Sequence, residues 1–290
     1  MQKLIYQNIL GETVTFCHAP YVLCRVQGVG MGERQLGTVY GTEQQGETLK
    51  SIRRESRRVK LTLHLMAGDR QEMYRLRSEL LGILSPEKAF DGERRARLYY
   101  ENDYQRRWTW AAPEYGLDWG ERKQNIHPEL TLNFLCESPF WFGMTRQETA
   151  FREAEGGFML PLGLPFKLGK KQFDQTIWNG GQSGCPVSLK MEGCGEKPRL
   201  VNLSNGREIL LVEPLPVGDV LEVNTDPAAL SAVILHRDGS RENGFGLLSP
   251  ESSISGFVLE PGENRLKYTA GNEGVSGRVT IEWYERYEGV

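Results

Sequence analysis

From Val59 to Leu65 every second residue is apolar: Val59, Leu61, Leu63 and Leu65 alternate with Lys60, Thr62 and His64. A repeat of two sends successive side chains to opposite faces of a strand, so such a segment buries one face and wets the other. The same period returns in "PVSLKMEG" (Val187, Leu189, Met191), in "DVLEVNT" (Leu221, Val223) and in "RVTIEWYE" (Val279, Ile281, Trp283). Turn pairs separate these runs: Asn205-Gly206, Asp238-Gly239, Pro261-Gly262 and Gly271-Asn272. Short alternating strands joined by local turns restrict the second half to a β-sandwich or jelly roll, and no helical pattern appears after residue 150.

The first half reads as strands around one helix. Strands are expected at 3–7, 13–17, 22–27, 59–66, 97–101, 105–111 and 130–136. Asp69 can cap the helix, with Glu72 three residues later completing a capping-box pattern. Met73, Leu76, Leu80 and Leu84 then fall on one helical face, and Ser85-Pro86 stops it. "VQGVGMGERQLG", with Gly28, Gly30 and Gly32, reads as a loop. The character changes at 156–169, "GGFMLPLGLPFKLG", whose apolar residues lack a period. It reads as a connector pressed onto a surface, because free linkers are polar. The expected division is 1–145 and 146–290, with the connector at about 146–177.

The alternating run is led by a basic cluster: Arg53, Arg54, Arg57, Arg58 and Lys60 against Glu55. Two facts oppose a nucleic-acid footprint. The chain has 35 Lys+Arg and 38 Asp+Glu, a net charge of -3, which is not the balance of a dedicated DNA binder. A strand also points its residues alternately, so the five cations cannot all enter one groove. The plainer reading is a solvated strand end or a subunit contact. As exposed charges they are expected to matter little to the fold. Residues 1–145 carry 20 basic and 18 acidic residues and the remainder 15 and 20, a mild asymmetry consistent with two domains. No apolar run reaches the roughly 18 residues of a membrane span, and the first residues lack a signal-peptide core.

Chemistry is sparse. Cys17, Cys24, Cys136, Cys185 and Cys194 include no C-x-x-C pair, and His18, His64, His127 and His236 are scattered. Neither a disulfide framework nor a zinc site is expected. Cys17 and His18 are neighbours on a strand and point apart. "NGGQSGCPV" places Ser183 and Cys185 among glycines, but the G-x-S-x-G pattern fails and a turn is the better reading. Glu282, Glu285 and Glu288 beside Trp283, Tyr284 and Tyr287 could form a glycosidase pair. Trp283, however, shares the core parity of Val279 and Ile281, and exposed acids on strands are common. No catalytic residue, cofactor or metal is assigned.

"LTLNFLCESPFWFG", residues 130–143, resembles the end of the N-terminal domain in distal tail proteins of siphophage-type tails. Other segments resemble that family in the same order: "GERQLGTVYGTEQQGETLKSIRRESRRVKLTLHLMAGD", "IWNGGQSGCPVSLKMEGCGEKPRLVNLSNGREILL" and "FVLEPGENRLKYTAG". The resemblance covers nearly the whole chain. It implies a mainly β protein, with an N-terminal β-sandwich-like ring domain carrying one helix and a C-terminal galectin-like or jelly-roll β-sandwich. It also implies a structural baseplate hub without enzymatic activity. Such a hub is a homohexamer at the virion tail tip, made in the bacterial host cytoplasm. Its ring would leave a central channel and contact the tail tube protein, the tape-measure protein and the tail-tip or receptor-binding proteins. Arg53, Arg54, Arg57, Arg58 and Lys60 would then lie at oligomer or partner contacts, without sequence-specific nucleic acid and without membrane insertion. The alternative is a carbohydrate-binding β-sandwich module. Its platform for a host-surface glycan would be Trp178, which precedes a glycine turn.

Overall fold

A computed structural model describes residues 1–118, 128–152, 172–193, 196–271 and 277–290. The expected connector at 156–169, together with His127, Cys194 and Asn272, lies outside them. The chain is mainly β, with one α-helix among the described residues. It divides into two compact units: Met1–Met144 with Tyr287–Val290, and Thr145–Arg286.

The first unit holds two antiparallel sheets. One runs in the order β2 (Thr13–Phe16), β1 (Lys3–Gln7), β9 (Arg97–Glu101), β10 (Arg106–Trp110) and β13 (Trp141–Gly143), with Tyr287 of β26 (Arg286–Tyr287) at its edge. The other has the order β11 (Ala112–Asp118), β12 (Glu129–Cys136), β6 (Arg57–Leu65) and β3 (Tyr21–Gln27). The sheets share one core, in which Leu4, Tyr6 and Leu98 of the first meet Leu61, Leu63 and Phe134 of the second. Burial in β6 alternates strictly from Arg57 to Leu61, as its period of two requires. Each fully buried Leu contributes about 1.5–3 kcal/mol.

Helix α1 (Arg70–Ile83) starts where the Asp69 side chain accepts from the Glu72 N–H at 2.7 Å. The Glu72 carboxylate reaches back to the Gly68 N–H, also at 2.7 Å, one residue before the cap itself. Met73, Leu76 and Leu80 carry the buried stripe, and Leu84 closes it. Loss of the Asp69 cap would cost about 1 kcal/mol.

Two stretches differ from the sequence reading. Gly28, Gly30 and Gly32 lie in a loop as expected, but the last residues of the segment read as a loop begin strand β4 (Arg34–Val39), paired with β5 (Thr48–Arg54). Gly37 makes this possible, because a Cβ there would stand 2.3 Å from the Ser51 hydroxyl, and the ladder shifts register at that residue. Arg53 and Arg54 therefore end β5 rather than lead β6. Strand β11 was also unread. Two register shifts interrupt it, so no clean alternation shows. A second small ribbon joins β7 (Phe90–Asp91) to β8 (Arg94–Arg95).

The second unit is a sandwich. Its larger sheet has the order β14 (Gln147–Arg152), β25 (Arg278–Trp283), β17 (Ser188–Glu192), β20 (Val220–Asn224), β21 (Ser231–Leu235) and β22 (Arg241–Asn243). The smaller has β15 (Gln172–Asn179), β24 (Gly262–Gly271), β18 (Glu196–Asn202) and β19 (Arg207–Leu210). β14 and β15 replace the two ends of the stretch expected to be connector. Leu189, Met191, Leu221 and Ile281 from one sheet and Leu200, Ile209 and Leu266 from the other form the core. Trp283 is buried with them, as its parity implied. Gly262 supplies a φ of 92° at the Pro261-Gly262 turn, which a residue with a Cβ rarely adopts.

Candidate assembly surface

The β4–β5 ribbon is exposed along almost its whole length. Leu36 and Ile52 lie opposite each other, 56% and 55% exposed, and Leu49 is 51% exposed. Tyr40, just past β4, is also open to solvent. A two-stranded ribbon is marginal in water, and bare strand edges with apolar side chains invite another chain. The ribbon forms an exposed arm.

The root of this arm is held by charge. Arg54 donates to Glu288 Oε1 from Nη2 at 2.7 Å and from Nε at 3.1 Å, and its guanidinium stacks 5.1 Å from the Phe140 ring. Arg34, on the opposite strand, donates to Glu288 Oε2 at 3.0 Å. One carboxylate thus joins both strands. Burial pushes the Glu288 carboxyl up, but the hydrogen bonds from Arg54 and Arg34 outweigh it, so its pKa falls below the usual carboxylate range.

Arg57 is different in kind. It is 2% exposed and shares the core parity of Val59 and Leu61. Its Nη1 donates to the carbonyls of Gly28, at 2.7 Å, and Gly30. Its Nη2 donates to Pro139 O and Glu288 O, both at 2.7 Å. The ring of Trp141 lies 5.7 Å away. Three chain segments are therefore tied to one guanidinium, and burial lowers its pKa. The expectation that this residue contributes little to the fold does not hold. Parity was the available signal, since a strand that buries Val59 and Leu61 also turns Arg57 inward.

The last residues complete the knot. Arg107 lies 3.4 Å from the Tyr287 ring centroid and donates to the Gly289 carbonyl. The Val290 N–H donates to Val29 O at 3.1 Å. A Cβ on Gly289 would meet the Gly30 backbone at 2.9 Å, so only glycine fits there unshifted. Sequence reading missed this role for Glu288.

The remaining basic residues stay outside. Arg53 is 77% exposed and 3.9 Å from Glu55. Arg58 reaches Glu114 at 3.2 Å from an exposed position, and Lys60 is exposed. The five cations thus split three ways: an arm clasp (Arg54), a buried tie (Arg57) and a solvated set (Arg53, Arg58, Lys60).

In the second unit Trp178 stands 69% exposed on β15, opposite Glu263. Its neighbours Ile177 and Asn179 face inward. The C-terminal acids do not converge. Glu282 pairs with Arg146 at 2.6 Å, Glu285 accepts from the Gly180 N–H at 3.0 Å, and Glu288 serves the arm. Cys185 is fully buried, and burial raises its thiol pKa, which keeps it from acting as a thiolate nucleophile. Cys17 and His18 meet different partners, Gln2 O and Met1 Sδ.

No family model matches the chain, and no curated protein is similar to it in sequence. Its fold, however, is that of solved phage proteins. It is similar to the Dit protein of phage SPP1, described as a paradigm of the hub adsorption apparatus in phages infecting Gram-positive bacteria. The TM-score there is 0.65 at 14% identity, over 99% of each chain. It is also similar to a chain of the phage p2 baseplate in its activated conformation with strontium. That TM-score is 0.51 at 10% identity, over 97% of this chain and 98% of that one.

Proposed function

We propose that this chain, which has the fold of a phage distal tail protein, is a structural hub of a tail tip or baseplate. In this reading it forms a hexameric ring, and the ring joins the tail tube to the tip or receptor-binding apparatus around an open channel. The β4–β5 arm carries the proposal. Leu36, Leu49 and Ile52 are exposed on a ribbon that the described residues leave bare, and a second copy is the occupant that closes a ring. The arm is clasped at its root by Glu288, so it is presented rather than free to wander. The role is non-enzymatic, and it places the chain in the virion tail. The tape-measure, tube and tip proteins are its further partners.

Native mass measurement of the full chain tests this. A six-membered species that collapses to monomer in a Leu36→Ser/Ile52→Ser variant is the expected result. An unchanged mass distribution in that variant would remove the arm from the account. A second reading, glycan binding through Trp178, rests on that one exposed indole. Sugars stack on such rings, and glycan-array binding lost in Trp178→Ala would support it. Fold likeness alone does not.

A further inference from the structure

A groove of about 370 Å³ opens at one end of the β1-β9-β10 sheet of the first unit, and it shares no residue with the arm or its clasp. The register lines up Gln7, Arg97 and Trp110 across three neighbouring strands, all within the groove lining. The Arg97 guanidinium lies 4.8 Å from the Trp108 ring centroid and 4.9 Å from that of Trp110. The two indoles meet edge to face at 4.7 Å. This is cation–π range for both rings, so the guanidinium is positioned by aromatic contact.

Charge pairing sets Arg97 apart. Arg94 pairs with Asp91 at 2.5 Å, and Arg95 with Glu137 at 3.5 Å. Arg97 has no ion pair among the described residues. Gln7 is a second donor, because its Oε1 accepts from the Tyr99 hydroxyl at 3.0 Å, which leaves its amide N–H groups to the groove. Asn8 is spent on internal bonds with Glu12, Leu10 and Ile83 and only shapes the wall. Apolar surface flanks the donors. Leu10, between the lining residues Ile9 and Gly11, is 61% exposed, and Phe90, paired opposite Arg95, is 52% exposed.

We propose that this groove receives an acidic segment of a partner protein. A side-chain carboxylate forks onto Arg97, and an adjacent apolar side chain packs on Trp110. A planar guanidinium with fixed orientation suits the two oxygens of a carboxylate. A nucleic-acid strand fits less well, since a phosphate track needs a run of open cations. Here two of the three arginines are already paired, Glu93 adds a negative charge to the lining, and the whole chain is acidic.

The test uses the full chain labelled with 5-fluorotryptophan, with the Trp110 resonance assigned through Trp110→Phe. The probe is the capped peptide Leu-Glu-Glu-Leu, compared with capped Leu-Gln-Gln-Leu. The glutamate peptide should shift the Trp110 resonance saturably, and the glutamine peptide should bind about tenfold more weakly or worse, the loss expected for a charge-assisted pair. Arg97→Gln should abolish that difference. Arg97→Lys, which keeps the charge without the fork, should fall between. Unchanged resonances from the buried Trp141 and Trp283, which do not contact Arg97, report that each variant is folded. Equal binding of the two peptides by the wild type overturns the proposal. So does a Trp110 shift that an oligothymidylate produces at lower concentration than the glutamate peptide. Neither result depends on ring formation, so the hub reading stands or falls separately.

Discussion

Strands β5 and β6 follow one another in the chain and share one basic cluster, yet they have opposite fates. β5 is exposed at every position, and β6 buries alternate residues down to 0% exposure. Charge does not cause the difference, because both strands carry arginines. Apolar parity does. In β6, Val59, Leu61, Leu63 and Leu65 lie on one face, and that face can pay the entropy of docking. In β5 the large apolar residues are Leu49 and Ile52, and the register shift between them sets them opposite Thr38 and Leu36, on one face. That face carries two large apolar residues of β5 against four on the core face of β6, too few to dock on its own chain, so the ribbon remains outside.

The contrast can be broken most severely at Arg57. Arg57→Met should leave the partly buried hydrogen bonds to the carbonyls of Gly28, Gly30, Pro139 and Glu288 unmade. A hydrogen bond to a charged group contributes about 1.5–3 kcal/mol, less where water reaches the acceptor, so a total of about 3 kcal/mol is expected after relaxation. Urea denaturation of the full chain should show it as a lowered first transition. A loss under 1 kcal/mol would mean that Arg57 is as dispensable as its exposed neighbours.

The arm should respond the other way round. Leu36→Ser/Ile52→Ser should change monomer stability by no more than about 0.5 kcal/mol. Self-association should weaken by on the order of a hundredfold or more, since each buried apolar side chain contributes about 1.5–3 kcal/mol. Sedimentation against concentration separates the two effects. Lost stability with intact association would reverse the assignment of the two strands.

Glu288 sharpens the boundary between them, because it grips the arm with its side chain and Arg57 with its carbonyl. Glu288→Gln should cost about 1 kcal/mol, the scale of a partly exposed ion pair. Its folded pKa lies below the ordinary carboxylate value of about 4.3. The stabilisation is therefore complete above that value and is lost as pH falls through the lower, folded pKa. The variant should flatten this acid limb in a series of melts between about pH 5 and pH 2. An identical limb in both proteins would place the titration elsewhere.

The smallest effect belongs to the solvated set. Arg53→Ser and Arg58→Ala should each change stability by less than about 0.5 kcal/mol, as exposed pairs with Glu55 and Glu114 do. A larger loss at Arg58, measured in the same urea series, would show that position along the strand does not decide the fate of a charge here.

Much of this was legible in advance. The strands Lys3–Gln7 and Arg97–Glu101 begin and end where the sequence placed them. The helix starts at its predicted cap and buries its predicted stripe. These features are local, because period and capping act within a few residues. The arm was not legible, since Gly37 and the bulge opposite it erase its alternation. Glu288 was read as one of three clustered acids, yet it lies 234 positions from its partner Arg54.

The mainly β character of the chain, the place of its capped helix and the apolar faces of its strands all follow from the order of residues. Parity, turns and caps are properties of neighbouring residues, and they survive any arrangement of the rest. That Arg57 ties three segments together while Arg58, one residue on, meets solvent and Glu114 is set by the packing of distant segments. A buried guanidinium is tolerable only where carbonyls converge on it. The carbonyls that do so, from Gly28, Gly30, Pro139 and Glu288, are brought together by the packed core and by no pattern along the chain.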